Sequence, residues 1–221
     1  MNNNINTKEY WEERFSSGDW EEKGGRWQTK SFAKGQVSHL KIPRDFAGAI
    51  VDFGCGLGDA AQVYKKAFPG AELVGVDISQ AAIDMCRKRY GSMATFIQGD
   101  YQAVPCADVI IASNVLEHLS GDVEIARNLM LRCDSLYIIV PYKEWPLSPE
   151  HVNTYDENYY SILGAYDWQI FTCKGWSQRG LELWYHVYFK NIHRLLSGGQ
   201  ACRRGMQIMF HLKGSVSAIR R

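Results

Sequence analysis

No two of the six cysteines, at positions 55, 86, 106, 133, 173 and 202, are spaced as C-x-x-C. That excludes the common zinc-knuckle and dithiol motifs. Scattered thiols beside apolar segments read as buried, free cysteines of a reducing cytosol. No apolar run approaches the ~18 residues of a membrane span. The opening Met1-Asn2-Asn3-Asn4 lacks the basic-then-apolar form of a secretory leader, so a cytoplasmic location is expected. No histidine pair has H-x-x-x-H spacing and the acids are dispersed, so no metal cluster is expected. Repeats and low-complexity tracts are missing too. Neither sign of charge dominates, with 25 Lys and Arg against 24 Asp and Glu. From Lys174 onward, however, there are nine Lys or Arg and one acid, Glu182. Two readings stay open: an anionic partner or substrate, or a solvated basic tail.

What the chain does contain is an alternation of strands and helices. Its 221 residues, 46% hydrophobic, suit one domain with a sizeable core. Periodicity predicts strands at 49–53, 72–76, 94–98, 108–112 and 135–140, with helices at 59–67, 80–90 and 120–131 between them. Such alternation indicates a parallel sheet covered on both faces. Ahead of it, Asn6 or Thr7 is placed to cap a helix carrying Tyr10, Trp11, Arg14 and Phe15. Ser17 to Gly25 reads as a flexible linker, and Trp27 to Leu40 as helical in its second half. After Pro141 an irregular stretch, 142–155, is predicted to lie over the site. A short helix over 156–163, a strand over 168–173, an amphipathic helix from Leu181 to Leu195 and a last strand over 206–212 follow.

The densest signal is Ala49-Ile50-Val51-Asp52-Phe53-Gly54-Cys55-Gly56-Leu57-Gly58-Asp59, a buried strand entering three glycines spaced by two. Glycines there allow a sharp turn and close approach to a ligand. Asp59 stands where a dinucleotide-binding G-x-G-x-x-G needs its third glycine, which weakens a nicotinamide reading. A second strand ends in Asp77, placed to accept both hydroxyls of a ribose. A third strand ends in Asp100.

This ordered set resembles the class I S-adenosylmethionine (SAM)-dependent methyltransferases. The likeness extends through Asp108-Val109-Ile110-Ile111-Ala112-Ser113-Asn114-Val115-Leu116-Glu117-His118-Leu119 and covers roughly 10–141, including a lid-like Tyr10-Trp11-Glu12-Glu13-Arg14-Phe15. The resemblance implies an α/β, Rossmann-like, doubly wound and mostly parallel seven-stranded sheet whose last strand is antiparallel. It divides a single domain, 1–221, into an N-terminal helical lid (1–45), a SAM-binding core (46–140) and a substrate-side region (141–221). It also implies a cofactor set of Asp52, Gly54, Cys55, Gly56, Gly58, Asp77, Ile78, Asp100, Tyr101 and Asn114. In that set Asp52 would take the methionine amino group, Asp77 the ribose and Asp100 the adenine amino group.

A sulfonium is already a good methyl donor, so the protein has to supply in-line placement and, for a hydroxyl acceptor, removal of a proton. Histidine suits that task near neutral pH. His151, in the loop after the fifth strand, and His118, after the fourth, are the candidate catalytic residues, with Glu117 placed to orient His118 or to hydrogen-bond within its own loop. His39, His186, His193 and His211 read as packing or surface residues. Trp11, Arg26, Trp27, Tyr142, Trp145, Tyr155 and Tyr159 are candidates to line an acceptor pocket. Glu150-His151-Val152 and Trp176-Ser177-Gln178-Arg179-Gly180 loosely resemble methyltransferases of surface-polysaccharide pathways. The expected reaction is therefore O-methylation of a sugar or other small metabolite. N-methylation, an aromatic or natural-product acceptor, a nicotinamide oxidoreductase and a non-catalytic SAM-binding protein are the alternatives. Nucleic acid is not an expected partner, because no Asn-Pro-Pro-Tyr-like motif follows strand four and no recognition module is attached.

Overall fold

The computed structural model describes residues 5–173, Ile192, Leu196 and 205–215. Seven strands form one sheet: β1 (Ala49–Phe53), β2 (Glu72–Asp77), β3 (Thr95–Gln98), β4 (Val109–Ser113), β5 (Ser135–Pro141), β6 (Tyr166–Thr172) and β7 (Met206–Lys213). Their order is β3-β2-β1-β4-β5-β7-β6. The first five run parallel, while β7 pairs antiparallel with both β5 and β6. This is the doubly wound, Rossmann-like sheet expected from the sequence, with its antiparallel final strand.

The central strands are apolar on both faces because both faces are covered. One layer gathers Ile50, Ile111, Tyr137 and Ile139 with Tyr64, Ile83 and Phe96. The other gathers Val51, Ile110, Ile138 and Phe210 with Leu116, Leu129 and Tyr160. Helices α4 (Ala61–Ala67), α5 (Gln80–Tyr90) and α6 (Asp122–Met130) connect the parallel strands. Strand order reverses between β1 and β4, so the carboxyl ends of β1, β2 and β4 open onto one crevice.

Three helices precede the sheet: α1 (Lys8–Ser16), α2 (Asp19–Glu22) and α3 (Gly25–Gln36). Thr7 caps α1, its hydroxyl oxygen accepting from the Tyr10 amide at 3.2 Å. The stretch 17–25 is not a linker. Gly18 and Gly24, at φ 84° and 79°, sit immediately before α2 and α3 and start them from a left-handed turn. Helix α3 consequently begins at Gly25 rather than in the second half of 27–40. The helix expected over 156–163 is replaced by turns and one 3₁₀ turn, Ser161–Leu163. Its aromatic residues are instead drawn to a buried acid, with the Tyr155, Tyr159 and Tyr160 hydroxyls all donating to Asp122. The expected helix from Leu181 to Leu195, with His186 and His193, lies outside the described residues except for Ile192.

Candidate active site

Strand β1 delivers Asp52 and the glycine turn into the crevice. Gly54 adopts φ +74°, and a Cβ on it would meet the Val115 side chain at 2.5 Å, so only glycine fits there. The Gly54 and Cys55 amides donate to Val76 O at 2.8 and 3.1 Å, locking the turn onto β2. The Gly56 amide donates to Asp77 Oδ2 at 2.8 Å, and the Ser79 amide to Asp77 Oδ1 at 3.0 Å. Asp77 is thereby fixed at the strand tip.

A cavity of about 620 Å³ runs from this turn to the loop after β5. Asp52, Gly54, Cys55, Gly56, Asp77, Ile78, Asp100, Tyr101 and Asn114 all line it, as do both candidate histidines, His118 and His151. Gly58 does not. Its φ is +75°, and a Cβ would press on Cys86 Sγ at 2.9 Å and on the Tyr90 and Phe96 rings, so this glycine serves helix–strand packing. Of the residues expected at an acceptor pocket, Trp11 lines the cavity, whereas Arg26, Trp27, Tyr142, Trp145, Tyr155 and Tyr159 do not. Phe15, Trp20 and Tyr64 take their place.

Two neighbouring acids give the crevice its electrostatic character. Burial, reinforced by the charge of Asp77, pushes the Asp52 carboxyl up to about 7. Burial also raises Asp77, against the lowering pull of the Ser79, Gly56 and Ile78 amides. Two crowded carboxylates of this kind are relieved by a cation between them. The ammonium of a methionine moiety beside Asp52, with ribose hydroxyls at Asp77, fits these donors and acceptors.

The lid helix closes the crevice from above. The Glu12 carboxylate accepts from Ser79 Oγ at 2.7 Å and from the Ala81 amide at 3.1 Å, docking α1 on the start of α5. At its other end α1 clasps Glu150: Tyr10 donates to Glu150 Oε1 at 2.5 Å and Arg14 pairs with the same oxygen. The Asn6 amide group donates to the Glu150 carbonyl at 2.6 Å. Helix α1 is therefore fastened to both sides of the cavity.

Beneath that clasp the structure brings His151 to the adjacent pair Glu117 and His118, 33 positions earlier in the chain. One ligand atom each from Glu117, His118 and His151 falls within 4.8 Å of the other two. The loop at 142–155 folds back over the end of β4, which brings these side chains together although they are dispersed in the sequence. The Val152 amide donates to Glu117 O at 2.8 Å and pins that return. His118 Nδ1 is 3.1 Å from the Glu150 carbonyl. A carbonyl only accepts, so Nδ1 carries the proton and Nε2 holds a lone pair. His151 Nδ1 pairs with Glu144. Burial and the neighbouring His151 push His118 down to about 4. Burial opposes charge on His151, but the Glu144 hydrogen bond and the charges of Glu117, Glu144 and Glu150 outweigh it and raise its pKa. Glu117 is 1% exposed and pushed up to about 7 by burial, and its Oε2 has no hydrogen-bond partner among the described residues. Of the two roles the sequence left open for Glu117, orienting His118 or bonding within its own loop, a hydrogen bond to its own backbone fits the second.

Several supporting residues carry no local sequence signal. Asp59, 3% exposed, accepts from Arg26 and from the Tyr90 hydroxyl at 2.6 Å, joining α3 to α5. Ser113 Oγ donates to Gln36 Oε1 (2.8 Å), Gln36 Nε2 to Gln207 Oε1 (2.9 Å) and Gln207 Nε2 to Asn114 Oδ1 (2.6 Å). That chain holds Asn114, at φ 53°, in the cavity wall. His39 stacks on Phe171 and His211 on Tyr137, the packing roles expected of them.

Residues 50–133 match the methyltransferase domain family. With the strand order 3-2-1-4-5-7-6 and the antiparallel β7, the fold is the α/β, Rossmann-like methyltransferase fold. The chain is similar to trans-aconitate 2-methyltransferase of Acidovorax sp. (strain JS42), 35% identical over 101 residues, which are 44% of this chain and 36% of the relative. It thus spans about a third of the length of that relative. Among solved structures it resembles the plantazolicin methyltransferase in complex with SAH, at 18% identity and a TM-score of 0.58, over 95% of this chain and 96% of the other. It also resembles the cyclase SpnF, at 15% identity and a TM-score of 0.56, over 82% and 79% of the two chains. At these identities the likeness concerns the fold.

Proposed function

We propose that the protein transfers the methyl group of SAM to a hydroxyl oxygen of a small metabolite, of the saccharide class, held between α1 and the loop at 142–155. One observation carries this reading: the cavity is continuous from Asp52, Asp77 and Asp100 to Glu117, His118 and His151. SAM when bound supplies an activated methyl group. The chain's own part is to hold the donor on its acids, fix the acceptor beside it and keep water out under the lid.

The acceptor class follows from charge. A hydroxyl has a proton to lose as the methyl arrives, and the Glu117–His118–His151 group lies in the cavity to take part in that loss. Trp11 and Trp20 bring aromatic side chains into the lining beside hydrogen-bonding groups, a mixed surface of the kind on which a sugar ring packs. The trans-aconitate relatives raise a second reading, a carboxylate acceptor. Among the described residues, however, the lining contains no Lys or Arg, but does contain Asp52, Asp77, Asp100, Glu117, Glu144 and Glu150. An acidic lining repels a tricarboxylate and tolerates a neutral hydroxyl.

Incubation with methyl-labelled SAM and a panel of monosaccharides, nucleotide sugars and trans-aconitate decides between the two. Label on a sugar hydroxyl is the expected result. Label on trans-aconitate and on no hydroxyl compound would overturn the acceptor assignment.

A further inference from the structure

We propose that Glu117, His118 and His151 bind one divalent transition-metal ion of the zinc class at the acceptor end of the cavity. The three ligand atoms come from two separate segments and converge to within 4.8 Å of one another. A tetrahedral zinc site with bonds of about 2.0–2.2 Å holds its ligands about 3.3 Å apart. Binding therefore draws the three side chains together by about 1.5 Å.

The surroundings are those of a metal site. A ligating histidine donates its second ring N–H to a carboxylate or a backbone carbonyl, which fixes the tautomer and aims the other nitrogen at the metal. Both histidines do this: His118 Nδ1 to the Glu150 carbonyl at 3.1 Å, and His151 Nδ1 to Glu144. Each leaves Nε2 as the ligand atom. The rings stand at 80° with centroids 4.8 Å apart, so neither stacks over the other. Glu117 supplies the independent sign. Its carboxylate is 1% exposed, and Oε2 is buried without a hydrogen-bond partner among the described residues. A buried acceptor left unsatisfied is costly, and a cation is what would satisfy it.

The donor set selects the ion. Two imidazoles and one carboxylate suit zinc and its first-row neighbours, whereas magnesium prefers oxygen ligands and retains water. Three protein ligands leave an open position facing the cavity, which all three residues line. A metal there gives an acceptor oxygen a fixed anchor in an otherwise acidic lining and lowers the pKa of a coordinated O–H group. Binding of the metal is a claim separate from methyl transfer, and it is read without any activity.

The test uses the full chain, stripped with a chelator and titrated with Co²⁺ and Zn²⁺, with Mg²⁺ as control. Visible absorption reads the cobalt and calorimetry the zinc. One ion per chain is expected, with Glu117→Gln and His151→Ala each weakening it at least tenfold and Glu144→Gln weakening it by about ten- to a hundredfold. Affinity for SAH, unchanged in the same variants, shows that the fold is kept. No stoichiometric Co²⁺ or Zn²⁺ binding to a protein that still binds SAH would overturn the proposal. So would binding that survives both Glu117→Gln and His151→Ala, since the ion would then sit elsewhere, or binding of Mg²⁺ alone.

Discussion

Asp77→Ala separates the ligand role of the strand tip from its structural role. The carboxylate makes two kinds of contact. It accepts the Gly56 and Ser79 amides at 2.8 and 3.0 Å, and it lines the cavity where ribose hydroxyls would reach it. Removing it leaves two amides without their acceptor, at about 1–3 kcal/mol each if no water replaces it. A lower melting temperature is therefore expected. The ligand effect is additional: hydrogen bonds to a charged acceptor contribute about 1.5–3 kcal/mol, roughly ten- to a hundredfold in affinity. Asp77→Asn keeps the shape and one oxygen, so it should fall between wild type and alanine in both measurements. Calorimetric titration with SAH beside thermal melts reads the two effects on one sample. A folded Asp77→Ala that binds SAH with wild-type affinity would refute the ribose assignment and the reasoning behind it.

Three further expectations concern the two ends of the cavity. The raised pKa of Asp52, about 7 in the fold against 3.8 as the ordinary value, means the folded chain holds that proton more tightly than the unfolded one. Stability on this account falls as pH rises from about 4 through about 7, so Asp52→Asn should gain on wild type across that window in denaturant titrations. Because a cationic amino group favours the ionised acid, SAH binding near pH 6 should release protons, seen as buffer-dependent heats that Asp52→Asn abolishes. Glu150→Ala removes the clasp with Tyr10 and Arg14. It should speed SAH dissociation by about tenfold in stopped-flow Trp fluorescence, for a loss near 1.4 kcal/mol. An unchanged rate would mean that α1 is held without it.

The sheet and the lining of the crevice were legible because their signals are local. Val51 and Ile110 lie in apolar runs of strand length, and Asp77 and Asp100 end such runs. Gly54 stands where the turn leaves no room for a Cβ. Gly58 has the same spacing signal, yet its reason is packing against Cys86, Tyr90 and Phe96 rather than a ligand. Spacing alone does not separate those two uses. The glycines at 18 and 24 misled for a related reason, since a left-handed glycine starts a helix here as readily as it loosens a chain. What stayed hidden depends on contacts between distant segments. Gln36 and Gln207 meet across 171 positions, Arg26 and Asp59 across 33, and His118 meets the Glu150 carbonyl across 32. No window of sequence contains such pairs. The aromatics after β5 looked like a binding surface but were claimed by Asp122, a buried acid that needed three hydroxyl donors.

The central claim is that the crevice at Gly54, Asp77 and Asp100 holds a SAM-type cofactor and not a dinucleotide. Side-by-side calorimetry of the wild-type chain with SAH, SAM, NAD and NADP tests it most directly. One equivalent of SAH and of SAM bound per chain, with no heat from either nicotinamide, is the predicted result. Saturable binding of NAD or NADP with none of SAH would contradict it.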